Sequence, residues 1–269
     1  MERKDGPCIG CCTELQQLEQ VCKAGYDFIN LSGAWLASLG EQEFQQILGQ
    51  SSAWPIPCRG LNSAIAPQVK ICGPGFDPAQ AAVYAERLCR RASAIGVEII
   101  GVGSPKARGI YGNADFEREW EDTRRFLCIL SDAAAEYGMQ ICWEPLNALE
   151  TPFGIYWRES WTQVRMLREA GYSNLWMLLD LYHLALQPYH MEEVLESAPW
   201  IKHIHIACPD EEKGRRYPQI EDLPQLRRIL GQLRGAGWDS DLSTEVFTGD
   251  LFQAGQLLVE GLCPNFNSL

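Results

Sequence analysis

Positive charge is scarce in this chain. Twenty-three lysines and arginines stand against 35 aspartates and glutamates, a formal net charge of −12, so a phosphate backbone would be repelled unless a local basic cleft compensated. Nucleic acid is therefore not the expected partner. Long apolar runs are also lacking: none reaches the roughly 18 residues that a membrane-crossing helix needs, and Met-Glu-Arg-Lys-Asp at the start leads into no signal-like apolar stretch. The expectation is a soluble, cytoplasmic protein with no membrane partner. Phosphate-cradling loops are missing too. Gly101-Val-Gly103 and Gly73-Pro-Gly75 do not complete GxGxxG, and GxxxxGK[ST] does not occur, so both segments read as tight turns and no nucleotide cofactor is expected.

Cysteine is not scarce, but a disulfide framework does not follow. The eleven cysteines are odd in number, spread along a long chain and often set in apolar runs, as Cys142 and Cys208 are, which favours reduced thiols. Cys8-Ile-Gly-Cys11-Cys12 contains a CxxC with no second CxxC to complete a four-thiolate site. It reads first as small residues filling a strand, with redox or metal chemistry as the alternative.

Strand-like and helix-like runs alternate along the whole chain, the pattern of a parallel sheet with helices outside it. A length of 269 residues suits one (β/α)8 TIM barrel, which usually takes about 250, so a single domain over 1–269 is expected. Strands are expected at 8–12, 26–31, 60–66, 97–102, 140–145, 175–181, 201–207 and 241–247. Helices are expected at 14–24, near 41–48, and at 78–95, 115–137, 161–170, 191–197, 223–235 and after residue 250. Gly25, Gly96, Gly138, Gly171 and Gly237 each follow a helix-like run and read as left-handed closures. The long irregular segments follow strands instead and should build the C-terminal face, where barrel active sites lie.

Four side chains fall at the ends of four expected strands: Glu144 in Ile-Cys-Trp-Glu, Asp180 in Leu-Leu-Asp-Leu, His205 in His-Ile-His, and Glu245 in Ser-Thr-Glu. Each alone has an ordinary explanation, such as a strand-end cap or a satisfied core histidine. Asp180 is harder to dismiss, because it interrupts a strongly apolar run and a buried carboxylate without a partner is costly. His203 and His205, two apart on one strand, share a face. Together the four read as a site for one divalent metal, and His183, three residues after Asp180, can reach the same cavity from the rim.

The motifs Glu144-Pro-Leu-Asn, Asp180-Leu-Tyr-His, His203-Ile-His and Thr244-Glu-Val resemble the xylose-isomerase-like barrel superfamily, in its sugar phosphate isomerase/epimerase branch, which includes the ketose 3-epimerases. The resemblance spans essentially the whole chain. It implies that Glu144, Asp180, His205 and Glu245 bind one divalent ion, and that His183 and one of Arg215 and Arg216 contact substrate. Strand two departs from the pattern: it ends in Asn30-Leu-Ser-Gly where the family often has an acidic residue.

Three carboxylates and one imidazole make a mainly oxygen site that suits Mn2+ first, with Mg2+, Co2+ or Zn2+ as alternatives. A sugar bound through its carbonyl and a neighbouring hydroxyl would place an acidic C–H beside the ion, which stabilises the enediolate formed on proton loss. Glu144 and Glu245 are then the acid/base pair. Removal and return of a proton on opposite faces is epimerisation; return at the adjacent carbon is isomerisation; loss of a hydroxyl is an inosose-type dehydration. A glycoside-derived ketone lyase would share the first step. The expected partner is a small sugar, a polyol ketone or a sugar phosphate. Lys106, Arg108, Lys213, Arg215 and Arg216 lie in loops that could hold an anionic group, and Trp35, Tyr111, Phe153, Tyr156 and Trp157 could shape the pocket. A metal-dependent apurinic-site endonuclease on the same barrel would need further histidines from strands three and four, which end in Ala64-Ile-Ala-Pro and Val102-Gly-Ser-Pro. A non-catalytic binding subunit is the alternative from another class. A homodimer or homotetramer is expected.

Overall fold

The computed structural model describes residues 7–108, 110, 115–187 and 190–262. In chain order the elements are β1 (Ile9–Cys12), α1 (Leu18–Lys23), β2 (Phe28–Ser32), α2 (Gly33–Ser38), α3 (Glu41–Ser51), β3 (Cys58–Asn62), α4 (Pro78–Ala94), β4 (Ile99–Val102), α5 (Phe116–Ala135), β5 (Gln140–Trp143) and α6 (Trp157–Glu169). They continue with β6 (Leu175–Asp180), α7 (Leu181–Leu186), α8 (Met191–Glu196), β7 (Ile201–Ile206), β8 (Cys208–Pro209), β9 (Arg215–Arg216), α9 (Leu223–Gly235), β10 (Asp241–Thr244) and α10 (Leu251–Leu262). Eight strands form a closed barrel in the order β1-β10-β7-β6-β5-β4-β3-β2, and β8 with β9 forms a separate antiparallel pair. This is the (β/α)8 architecture expected. Among the described residues no helix is long and apolar enough to cross a membrane.

Packing contacts group the described residues into two sets, described in turn. In 31–54 and 58–177, β3, β4 and β5 pair in parallel, with Gly60 opposite Ile99 and Gly101 opposite Cys142. Helix α4 starts where Asp77 accepts from the Ala79 amide at 2.9 Å and Pro78 takes the first helical position, which lacks an intrahelical partner in any case. Its buried residues Ala81, Tyr84, Ala85, Leu88, Cys89 and Ala92 repeat at helical spacing, and each fully buried leucine contributes about 1.5–3 kcal/mol. In 7–30, 55–57 and 178–262, β1 pairs with β2 and β10, and β10 with β7. Gly10 is required on β1, since a Cβ there would stand 2.2 Å from the Phe28 ring.

The five glycines expected to close helices all have positive φ. Other boundaries moved. β3 spans 58–62 instead of 60–66, because the chain turns at Ser63 (φ 43) and the next residues bind a side chain: the Tyr84 hydroxyl donates to Ala64 O at 2.6 Å and accepts from the Ala66 amide at 3.1 Å. The eighth barrel strand stops at Thr244, and Phe247 is exposed. Helices α2 and α7 and the β8–β9 pair were not expected. Each of the two helices begins on a side-chain cap donated by the end of a strand, Ser32 for α2 and Asp180 for α7, a signal too short to stand out in a periodicity reading. Helix α6 starts at Trp157, four residues earlier than expected, because Trp157, Ser160, Trp161, Val164 and Leu167 all turn inward.

Candidate metal centre

Asp180 is the last residue of β6 and is buried. Its Oδ1 accepts from the Tyr182 amide at 2.8 Å, capping α7, while Oδ2 lies 2.6 Å from Arg215 Nη1 and 3.6 Å from His183 Nε2. The cap explains how His183 returns to the same point: it sits in the first turn of the helix that Asp180 starts. His183 Nε2 is 3.1 Å from Arg215 Nη2.

On β7 both histidines are buried and serve different layers. His205 Nδ1 lies 3.3 Å from Glu245 Oε2. His203 Nε2 lies 2.8 Å from Ser243 Oγ and 3.3 Å from Asn30 Nδ2, and Asn30 Nδ2 donates to Ser243 Oγ at 3.0 Å. Asn30, at the departure from the family pattern on strand two, thus belongs to a polar layer with His203 and Ser243.

The β8–β9 pair delivers Arg215. Asp210 Oδ1 accepts from the amides of Glu212 and Gly214 at 2.9 and 2.6 Å, tying the turn, and a Cβ at Gly214 would come within 2.8 Å of the Asp210 carboxylate. The Tyr182 hydroxyl donates to Lys213 O at 2.6 Å, and the Arg215 guanidinium lies over the Tyr182 ring at 4.3 Å. Arg215 Nη1 also stands 3.1 Å from Glu245 Oε2. Arg216 turns elsewhere, to Asp222, at 2.7 and 3.1 Å. Only the first of the two arginines reaches the acidic cluster.

Glu144 follows β5 directly. Its backbone oxygen accepts from Arg108 Nη2 at 2.5 Å; the same guanidinium donates to Val102 O and Gly154 O at 2.9 and 3.2 Å and stacks 3.8 Å above the Trp143 ring. Arg108 is fully buried, so the anion-holding role considered for it gives way to a clamp on the backbone that carries Glu144. Gly103 leaves room for the carboxylate: a Cβ there would stand 2.2 Å from Glu144 Oε2. The aromatic reading is corrected in part. Phe153 packs against Trp120 at 4.5 Å and Phe116 at 6.1 Å, and Trp157 is buried, so both serve the core; Trp35 is half-buried and Tyr156 exposed, and Tyr111 lies outside the described residues.

One donor atom from each of Asp180, His205 and Glu245 lies within 4.8 Å of the other two, and all three residues are buried, as is Glu144 at the end of β5. The carboxylates of Asp180 and Glu245, so close, repel each other unless a cation stands between them. The Arg215 guanidinium is such a cation, bonded to both. Oxygen-rich donors with one imidazole fit a divalent ion. Cys12, His205 and Glu245 form a second close group, with Cys12 Sγ 3.9 Å from Ser243 Oγ and from Asn30 Nδ2. Burial pushes the Cys12 thiol up, against an opposing pull from His205. In the sequence this segment stands out only through the neighbouring CxxC, whose cysteines are Cys8 and Cys11, and nothing there singles out Cys12.

Residues 18–262 match the family model described as xylose isomerase-like TIM barrel. The chain belongs to this family. Solved structures extend the likeness of fold. The 3-keto-D-glucoside 4-epimerase YcjR from E. coli is 16% identical with a TM-score of 0.70, covering 93% of this chain and 96% of that one. A D-psicose 3-epimerase solved in the presence of D-fructose is 18% identical with a TM-score of 0.73, covering 93% and 89%. The IOLI protein with a binding zinc atom is 16% identical with a TM-score of 0.68, covering 94% of each chain. No match is found among curated proteins.

Proposed function

We propose that this protein is a divalent-metal-dependent isomerase or epimerase of small sugars, polyol ketones or sugar phosphates. The observation that carries the reading is the buried convergence of Asp180, His205 and Glu245 within 4.8 Å, to which the motif after β5 adds Glu144 as the fourth ligand. These four residues would hold one ion, Mn2+ first among Mg2+, Co2+ and Zn2+. A bound ion supplies Lewis-acid stabilisation of negative charge on substrate oxygens.

The remaining chemistry belongs to the protein. Glu144 and Glu245, carried after β5 and β10, take a proton from the carbon beside the substrate carbonyl and return one. Delivery from the opposite face inverts that carbon; delivery to the neighbouring carbon moves the carbonyl. His183 and Arg215, paired at 3.1 Å, steady negative charge on the substrate oxygens. Burial of the whole group excludes bulk water and strengthens each of these interactions. The similar structures include a D-psicose 3-epimerase and a 3-keto-D-glucoside 4-epimerase, which supports a ketone-bearing sugar as substrate. In this reading the chain is one barrel domain that works in the cytoplasm as a homodimer or homotetramer.

The test loads the purified protein with Mn2+ or Co2+, measures bound metal by mass spectrometry, and follows solvent deuterium entry into ketoses, 3-ketoglycosides and inososes. The reading expects about one ion per chain and deuterium at a carbon next to the carbonyl in at least one substrate class. Metal-loaded protein that exchanges no deuterium into any of them would sink it.

A further inference from the structure

We propose that Cys12 supplies a sulfur ligand to the bound ion, together with His205 and Glu245, so that the centre selects zinc or cobalt over manganese or magnesium. This rests on the metal-centre reading above, and the added sulfur moves the expected order of metals from manganese first to zinc or cobalt first. The donor atoms of Cys12, His205 and Glu245 lie within 4.8 Å of one another and all three residues are buried, a spread that side-chain rotation can bring onto one ion. The group shares His205 and Glu245 with the oxygen-rich cluster. An ion at that shared edge therefore has a sulfur atom within reach.

The ladder explains why this cysteine and not its neighbour. Gly10 pairs with Ser243 and Cys11 with Thr244, so the next step along both strands sets Cys12 beside Glu245. Side chains alternate along a strand. The Cys11 thiol interacts with Thr244, Tyr217 and Tyr26, whereas Cys12 shares its surroundings with His205, Glu245 and Ser243.

The neighbours of the sulfur suit a thiolate. Asn30 Nδ2 lies 3.9 Å from Cys12 Sγ and can donate to it. Ser243 Oγ lies at the same distance and is itself held at 2.8 Å by His203 Nε2. Such outer partners orient a ligand and tune its basicity. A carboxylate at position 30 would set a second anion against the sulfur; the amide of Asn30 is neutral and offers a donor. On metal binding the thiol proton leaves to solvent as the metal–sulfur bond forms. Thiolate is a soft ligand that favours zinc and cobalt, whereas Mg2+ and Mn2+ favour oxygen.

Cobalt decides the matter optically. The full chain is loaded with Co2+, and metal stoichiometry, visible cobalt bands and near-ultraviolet sulfur-to-cobalt charge transfer are recorded for the wild type, Cys11→Ser and Cys12→Ser. The expected result is a charge-transfer band in the wild type and Cys11→Ser that disappears in Cys12→Ser while cobalt remains bound. Zinc affinity, measured against a competing chelator, should fall at least about tenfold in Cys12→Ser with Mn2+ affinity little changed. Bound cobalt with no charge-transfer band, or a band that survives Cys12→Ser, overturns the proposal and leaves the metal centre standing. Failure to bind any divalent ion overturns both. If Cys12→Ser does not fold, zinc X-ray absorption of the wild type still decides: a sulfur scatterer at about 2.3 Å supports the ligand, and a shell of nitrogen and oxygen alone removes it.

Discussion

Arg215 Nη1 lies 2.6 Å from Asp180 Oδ2, an ion pair in which the carboxylate is fully buried and the arginine side chain is 18% exposed. The same nitrogen reaches Glu245 at 3.1 Å. A guanidinium thus neutralises the charge that a divalent ion would neutralise, so the two should stand in for one another electrostatically. Arg215→Ala is expected to destabilise the metal-free protein by about 3–5 kcal/mol, the usual cost of leaving a buried charge without its partner. Added Mn2+ or Zn2+ should then raise the melting temperature more in the variant than in the wild type. Arg215→Lys should restore little, because lysine offers a point charge where arginine holds both carboxylates. Thermal unfolding with and without metal reads all three. Equal metal-induced shifts in wild type and Arg215→Ala would contradict the account.

The proposed division of labour in the cluster predicts different losses for different substitutions. Asp180→Asn and His205→Ala should lower bound metal per chain, read by mass spectrometry on purified protein. Glu144→Gln and Glu245→Gln should also slow deuterium entry into substrate at saturating metal, by about 100- to 10,000-fold, the range that a positioned acid or base contributes. A Glu245→Gln protein that binds metal and exchanges deuterium at the wild-type rate would remove Glu245 from the acid/base pair.

Much of this architecture is legible in the sequence, for physical reasons. Leu178, Leu179 and Asp180 read as a strand ending in a carboxylate because an apolar run tolerates an acid only where a cation or donors await it, and the structure shows Asp180 met by Arg215 and the Tyr182 amide. Helix-closing glycines such as Gly96 and Gly171 are legible because positive φ is costly for other residues. What escapes is whatever depends on a distant partner. Nothing local says that Arg108 turns inward onto three backbone carbonyls, or that Tyr84 captures Ala64 and Ala66 and ends β3 early. Choosing between Arg215 and Arg216 needed the register of β9 and the position of Asp222. The nearness of Cys12 to His205 appears only when β1 is laid beside β10 and β10 beside β7.

Asp222 provides a pH-dependent term with a defined sign. Its bonds from Arg216 hold the carboxyl below its ordinary value of 3.8, against an opposing effect of burial. A carboxyl with a lowered folded pKa contributes stability that is fully present above the unfolded value and is lost as pH falls through the folded one. Asp222→Asn should therefore cost roughly 1 kcal/mol at pH 7, as for one partly exposed pair. Denaturant titrations across the acid range should find the gap between variant and wild type narrowing only below about pH 4. A gap that stays constant down to pH 2 would contradict the assignment of the loss to the Asp222 charge.

Gly103 offers the sharpest test of whether Glu144 must lie where it does. The residue follows β4, and a Cβ added there would stand 2.2 Å from Glu144 Oε2 and 3.1 Å from its carboxyl carbon. The intruding methyl meets the far end of a side chain, so the fold can yield by turning the carboxylate away. The carboxylate is buried beneath a backbone clamped by Arg108, and its displacement should cost the site more than the fold. Gly103→Ala is expected to leave the circular dichroism spectrum unchanged and to lower stability by about 1–3 kcal/mol, as overpacking does. Metal affinity should fall at the same time, as it would in Glu144→Gln, and the double variant should bind no more weakly than Glu144→Gln alone. Additive losses in the double variant would mean that Gly103 acts on the site by a route other than the Glu144 carboxylate.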